Sequence, residues 1–171
     1  MRIFVRMETT AQIPVAFEET DIEKLLQQSL RPLVEQATRS RVDLRIATLG
    51  DIPALHVDRE KLAWCVATLV GNACRYTSAD EDTRGSVVVH VTRLDDANEI
   101  SVSIQDDGPG IPDAKLPYLF ERKTGAVYAE GLGLSLVREI VQAHRGRIEV
   151  ESRRGEEDHG TSITIVLPVR L

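Results

Sequence analysis

The sequence predicts an α+β fold, a two-layer α/β sandwich in which a mixed sheet of about five strands carries three helices on one face. Two observations predict it. Segments of helical period alternate along the chain with segments of period two, and no internal repeat suggests a solenoid. The 171 residues, 42% of them hydrophobic, suffice for one well-packed domain and are too few for two comfortable ones.

The elements follow in order. Asp21 is a candidate N-cap for an amphipathic helix running to about Ser40 through Leu25, Leu26, Leu30, Leu33, Val34 and Ala37. Pro32 inside it predicts a kink or a late start. "VDLRIAT" (42–48) alternates as a strand, "GDIPAL" reads as a turn, and Asp58 caps a second helix reaching about Thr77. "SADEDTRG" is a loop. "SVVVHVTRL" and "EISVSIQD" read as paired strands joined by "DDAN", followed by an irregular stretch from about 107 to 130. A third helix is predicted from near Gly131 to near His144, with Gly146 at its C-terminal end. "RIEVES" and "TSITIVLP" close the chain as strands around a polar loop.

The formal net charge of −6 is spread without a long single-sign block, which predicts no nucleic-acid partner. No apolar run approaches the roughly 20 residues that span a bilayer, so no direct membrane contact is expected of this domain. "MRIFVRM" is shorter than a signal peptide. Cys65 and Cys74 stand about 180° apart on one predicted helix, so they cannot bridge each other and are expected as reduced thiols. Neither has a second ligand at zinc-site spacing.

The irregular stretch draws attention because long unstructured connections in compact domains are usually functional. It opens with "DDGPGIP" at the end of a strand. Ile100, Val102 and Ile104 share the buried face, so Asp106 continues that face and Asp107 points away. A carboxylate on a core-facing row is costly without hydrogen-bond donors. Gly108 and Gly110 just beyond it allow a sharp turn or the close approach of a flat ligand. One reading is a slot with an acceptor at its floor; the other is a turn in which Asp106 caps its own backbone.

On the second helix, Leu62, Val66, Leu69, Val70 and Ala73 form the apolar stripe, and Thr68, Asn72, Arg75 and Tyr76 a polar column beside it. An amide oxygen suits a hard cation, a guanidinium suits phosphate, and a phenol ring can lie against a base. Solvated surface would also produce such an edge. In "EGLGLSLVREIVQAH", Gly131 and Gly133 sit where the helix begins, which either opens backbone amides to an anion or permits tight packing.

Taken together and in this order, these segments resemble the catalytic ATP-binding domain of bacterial sensor histidine kinases, in the GHKL superfamily. "TLVGNACRYT" (68–77) looks like the N box, "DDGPGIP" (106–112) the G1 box, "LFER" (119–122) the F box, "GLGLSLVREIV" (131–141) the G2 box, and "GTSITIVLP" (160–168) the last glycine-containing strand. "FEETDIEKLLQQSLRPL" and "HVDREKLAWCV" are similar to the family's first strand and helix and to the start of its N-box helix. The resemblance covers about residues 15–170 and implies a Bergerat-type fold that uses ATP and Mg2+.

The resemblance further implies that Asn72 is the magnesium ligand, that Asn72 and Arg75 serve catalysis, and that Arg75 and Tyr76 contact phosphate and adenine. Asp106 would accept from the adenine amine, with Gly108, Gly110 and Ile111 beside the base and Thr161 completing the pocket floor. The amides around Gly131, Leu132, Gly133 and Leu134 would meet the phosphates. Phe120 and Arg122 would belong to a lid at about 111–130. The implied activity is transfer of the γ-phosphoryl group to a histidine on a dimerisation domain, in cis or in trans, with a response regulator downstream. A cytoplasmic location is implied, in a parent protein that can be anchored in the inner membrane.

The chain departs from the family pattern in places. The lid looks short, Lys123 stands where a second Phe is common, and Ala129 where the G2 box normally begins with glycine. Thr68 occupies the position where hydrolytic members and serine kinases of the superfamily carry a glutamate base, and a threonine cannot abstract a proton near neutral pH. His56, His90, His144 and His159 all lack an acceptor-like context; surface or helix-terminal roles are expected, with a dipole contact for His144. Three readings follow: kinase domain, non-catalytic nucleotide-sensing module, and ATP hydrolase. Residues 1–14 read as a linker, the tail of an upstream helix, or an appended tail.

Overall fold

Alternation along each strand decides which face is buried, and strand pairing then lines those faces up. A computed structural model describes residues 1–7, 13–77, 82–95, 98–121 and 128–169, with residues 128–132 described for their backbone alone. The elements are β1 (Arg2–Phe4), β2 (Glu18–Thr20), α1 (Ile22–Arg39), β3 (Val42–Leu49), β4 (Leu55–Val57), α2 (Arg59–Tyr76), β5 (Gly85–Leu94), β6 (Glu99–Asp106), a 3-10 turn (Leu116–Tyr118), α3 (Tyr128–Ala143), β7 (Arg147–Arg154) and β8 (His159–Pro168).

Six strands form one sheet in the order β1-β7-β8-β6-β5-β3, and β2 pairs with β4 in a separate ribbon. Only β3 and β5 run parallel; the other pairings are antiparallel. The register places Ile46, Val89, Ile104, Ile163, Val150 and Ile3 in one row across all six strands. Thr48, Val91, Val102, Ile165 and Ile148 form the next row. In the other direction the row reads Leu44, Val87, Asp106, Thr161 and Ser152, apolar on two strands and polar on three. The helices cover this face: α1 against β3, α2 over β5 and β6, and α3 against β7.

The sandwich and its three helices agree with the sequence, with four differences of detail. The sheet has six strands, because β1 pairs with β7 at the outer edge. Leu55–Val57, at the end of the expected turn, is a strand paired with β2. Three-residue strands are too short to show periodicity. Helix α3 begins at Tyr128, before the glycines that suggested its start. Helix α1 runs unbroken through the exposed Pro32.

Both predicted caps form: Asp21 accepts the Lys24 N–H and Asp58 the Lys61 N–H, each at 3.1 Å. Asp58 does more. Its Oδ2 accepts from the Ala16 N–H at 3.0 Å and from the Lys61 ammonium at 3.2 Å. Its own N–H donates to His144 Nε2 at 2.9 Å. His144, 2% exposed just past α3, has Nδ1 at 2.8 Å from the Ile140 carbonyl. Since Nε2 accepts, the ring is neutral with its proton on Nδ1. Phe17 meets the ring edge-on at 5.3 Å. His144 is therefore helix-terminal as expected, but buried and uncharged.

Burial holds the His144 imidazole below its ordinary value of 6.5, while the Ile140 bond and Asp58 pull the other way. The unfolded chain thus takes up the proton first as pH falls. This contribution to stability is complete above 6.5 and is lost as pH drops from there through the folded-state value. Denaturant midpoints should be lower at about pH 5.5 than at about pH 7.5. His144→Gln should cost about 1–3 kcal/mol at the higher pH and flatten the dependence. An unchanged pH slope in that variant would exclude His144 as its source.

Candidate functional site

Where the inner face of the sheet turns polar, a cavity of about 540 Å³ opens. That is within the usual range for a small-molecule site. Ile104 and Ile163 form its floor with Asp106 and Thr161. Leu69, Asn72, Ala73 and Tyr76 of α2 make one wall, the segment from Pro109 to Leu119 makes the other, and Leu134 reaches in from α3. A mostly apolar slot with a few convergent polar groups suits a flat ligand with a polar edge.

Asp106 is the polar centre. Its Oδ1 accepts two backbone N–H groups, from Gly108 at 2.8 Å and from Thr161 at 3.2 Å. Burial raises its pKa above the ordinary aspartate value; those two bonds and Arg153 oppose the rise, and Asp107 adds to it. Among the described residues nothing is shown donating to Oδ2. The carboxylate combines the two features that the sequence left as alternatives: one oxygen fixes the turn, while the residue lines the cavity.

Asn72, Tyr76, Asp106, Gly110, Ile111, Leu134 and Thr161 are brought together around this cavity. Other expected site residues stand elsewhere. Arg75 is exposed outside the lining, and its Nη2 donates to Asn72 Oδ1. Gly108 lies behind it, where a Cβ would stand 2.0 Å from the Tyr76 carbonyl oxygen. Phe120, expected in the lid, is 2% exposed in the core, because its ring has apolar neighbours there. Gly133 faces α2, and a Cβ there would sit 3.2 Å from Thr68 Cγ2. Gly131 and Leu132 belong to the backbone of α3. Arg122 and Lys123 lie outside the described residues, as do the side chains of 128–132.

Sequence reasoning missed the side chains that hold the G1 turn. Ser152, on β7 and 2% exposed, accepts the Ile111 N–H at 2.6 Å and donates to its carbonyl at 3.2 Å. His159 Nδ1 lies 2.8 Å from the Gly108 carbonyl. A signal for Ser152 exists in the sequence: it continues the buried phase of Ile148 and Val150 as Asp106 continues that of its own strand. Lys115 and Tyr118 line the cavity without any prior motif. Both cysteines are free, and burial raises both thiols, with the charge of Asp106 adding to the rise at Cys74. Among the described residues no helix is long and apolar enough to cross a membrane.

Comparison with known proteins agrees with this geometry. Residues 57–171 match the family described as Histidine kinase-, DNA gyrase B-, and HSP90-like ATPase. The adaptive-response sensory kinase SasA of Synechococcus sp. (strain JA-3-3Ab) is 30% identical over 166 residues, covering 94% of this chain and 42% of the relative. The alginate biosynthesis sensor protein KinB of Pseudomonas aeruginosa is 29% identical over 172 residues, covering 97% of this chain and 27% of the relative. The chain thus spans less than half the length of these relatives. The crystal structure of full-length ShkA in complex with AMPPNP superposes with a TM-score of 0.78 at 25% identity, over 91% of this chain and 32% of that one. With the family match over two thirds of its length, the chain belongs to the histidine kinase-, DNA gyrase B- and HSP90-like ATPases, as an ATP-binding domain of the sensor histidine kinase type.

Proposed function

We propose that this domain binds magnesium-ATP and donates the γ-phosphoryl group to a histidine on a separate dimerisation domain, in cis or in trans. From there the phosphoryl group passes to a response regulator, in the cytoplasm. The observation that carries the reading is Asp106, held through Oδ1 by two backbone donors at the floor of an apolar slot. An adenine amine would donate to it. Guanine would present an oxygen there and leave the carboxylate unpaired, at about 1–3 kcal/mol. The AMPPNP bound in ShkA supports a nucleotide as ligand.

Asn72 stands at the α2 side of the slot and offers one neutral oxygen, the kind of single protein ligand that suits a magnesium ion otherwise held by phosphates and water. When bound, that ion neutralises phosphate charge. Arg75 would move from Asn72 Oδ1 to a phosphate oxygen. Tyr76 would lie beside the base, and the start of α3 near Gly131 and Gly133 would face the phosphates. In the transfer the bridging β–γ P–O bond breaks, the imidazole nitrogen of the acceptor supplies the electron pair for the new P–N bond, and ADP leaves. Phosphoryl transfer needs placement and charge neutralisation, so no nucleophile is required of this chain.

The acceptor lies elsewhere on this reading. His144 is buried, His159 bonds Gly108, His90 is half-buried in β5, and His56 lies in the three-residue β4. Thr68 has its methyl directed at Gly133, which gives it a packing role in place of a base. Residues 15–171 would make up the ATP-binding domain, with β1 adding an edge strand to its sheet from the segment before it. Leu116 and Phe120 are core residues, so the stretch that carries them would stay in place when nucleotide binds.

Mixed with a separately made acceptor domain from a related kinase and labelled ATP, the chain should phosphorylate that domain. Nucleotide binding without transfer would favour a sensing module, and phosphate release alone a hydrolase. Asp106→Asn should weaken ATP binding about ten- to hundredfold by loss of a charge-assisted hydrogen bond. Asp107→Asn, outside the cavity, should change it less than about threefold. A loss that followed Asp107 would overturn the strand phase and the pocket with it. Asn72→Ala should leave ATP binding weaker and less dependent on magnesium in calorimetry, and an unaltered magnesium dependence would reject Asn72 as the ligand.

A further inference from the structure

A side chain outside every recognised box controls the shape of the slot. The hydroxyl of Ser152 bonds both the N–H and the C=O of Ile111, at 2.6 and 3.2 Å. Two strand residues facing each other in a hydrogen-bonded antiparallel pair exchange the same two bonds. Ser152 thus treats Ile111 as a strand partner through its side chain, since its own N–H and C=O are committed to Met1. The chain is pressed onto β7 at this point. Gly110 has φ +80°, and a Cβ on it would stand 2.3 Å from the Arg153 carbonyl oxygen and 3.0 Å from Ser152 Oγ.

We propose that Ser152 is a positioning residue of the nucleotide slot, fixing the wall that Ile111 contributes at a set distance from Asp106. Three facts carry it. Asp106, Thr161 and Ser152 occupy one row of the sheet, so the acceptor at the floor and the anchor of the wall share a rigid base. Ile111 lines the cavity itself. The bond from His159 to the Gly108 carbonyl tethers the same turn at a second point. Beyond Ile111, Leu116 and Phe120 are buried, and Arg138 on α3, 7% exposed, pairs with Glu121 at 3.3 Å. The segment from Ile111 to Glu121 is thereby a fixed stem, and the slot is formed before a ligand arrives. A preformed wall lowers the ordering cost of binding, so Ser152 acts on affinity and leaves the chemical step alone.

This inference rests on the nucleotide reading. Its test uses the 171-residue chain as wild type, Ser152→Ala, Ser152→Thr and, as a control on the uncovered face of the sheet, Ser103→Ala. Two quantities are measured: amide exchange at Ile111 relative to Val150 without nucleotide, and magnesium-ATP affinity by calorimetry. In Ser152→Ala the Ile111 amide should exchange about tenfold faster and ATP should bind about tenfold more weakly. Ser152→Thr, which keeps the hydroxyl, should restore both, and Ser103→Ala should move neither. Transfer to the acceptor domain at saturating ATP should keep its rate in Ser152→Ala. Unchanged Ile111 exchange or unchanged ATP affinity in Ser152→Ala overturns the positioning role alone. A wild-type chain that takes up no ATP overturns the nucleotide reading and the positioning role together.

Discussion

The cavity depends on one constraint: a carboxylate placed by strand phase on the inner face of the sheet must find hydrogen-bond donors there. Asp106 finds two, the amides of Gly108 and Thr161, and each choice shapes the surroundings. The first bends the chain sharply after β6, which carries the following residues over the floor. The second locks β8 against β6 where Gly160, at φ +146°, brings its backbone so close that a Cβ would stand 2.2 Å from the Asp106 carbonyl oxygen. The aliphatic rows beside it supply the rigidity. Val87, Val89, Ile104 and Val150 are at most 2% exposed, so the end of β6 cannot drift without opening the core.

A second cluster ties the helices to that frame. Asp58 and His144 join the start of α2 to the end of α3 and to the irregular segment before β2. Since α2 provides one wall of the cavity and α3 contributes Leu134, this buried network fixes the relation of the two helices through groups that do not line the cavity. Its members satisfy one another: a neutral imidazole accepts one amide, and the carboxylate takes an amide, a cap and an ammonium. A satisfied polar network specifies a single arrangement, whereas a loss of one member strands the others.

Much of this was legible in the sequence because it is written in periodicity. Ile100, Val102 and Ile104 announce the phase of β6 and thereby the inward aim of Asp106, and the caps at Asp21 and Asp58 mark where α1 and α2 begin. The ordered boxes carried the family, which no single box could. The remainder was hidden for physical reasons. β1 and β4 are too short for alternation to register, and the burial of Phe120 depends on tertiary contacts that a lid-like composition masks. His144 looked like a helix-end cation because the sequence does not show that Phe17 and Asp58 enclose it. Ser152 follows the same rule as Asp106, a polar residue in a buried phase towards a strand end, but its partner Ile111 lies 41 residues away and only the fold brings the two together.

Gly133 gives the cavity a gauge. Helices α2 and α3 approach each other at Thr68 and Gly133, and the residues next along, Leu69 and Leu134, both face the slot. The clearance between two walls is therefore fixed by the smallest side chain in the molecule meeting a single methyl group, one residue away from the opening it controls. An alanine at 133 would put a carbon 3.2 Å from that methyl, so either the Thr68 side chain or the spacing of the helices would have to give by a few tenths of an ångström. For a thin aromatic guest that margin separates contact on both faces from contact on one, so the tolerance of the slot is set by helix packing as much as by the groups that line it.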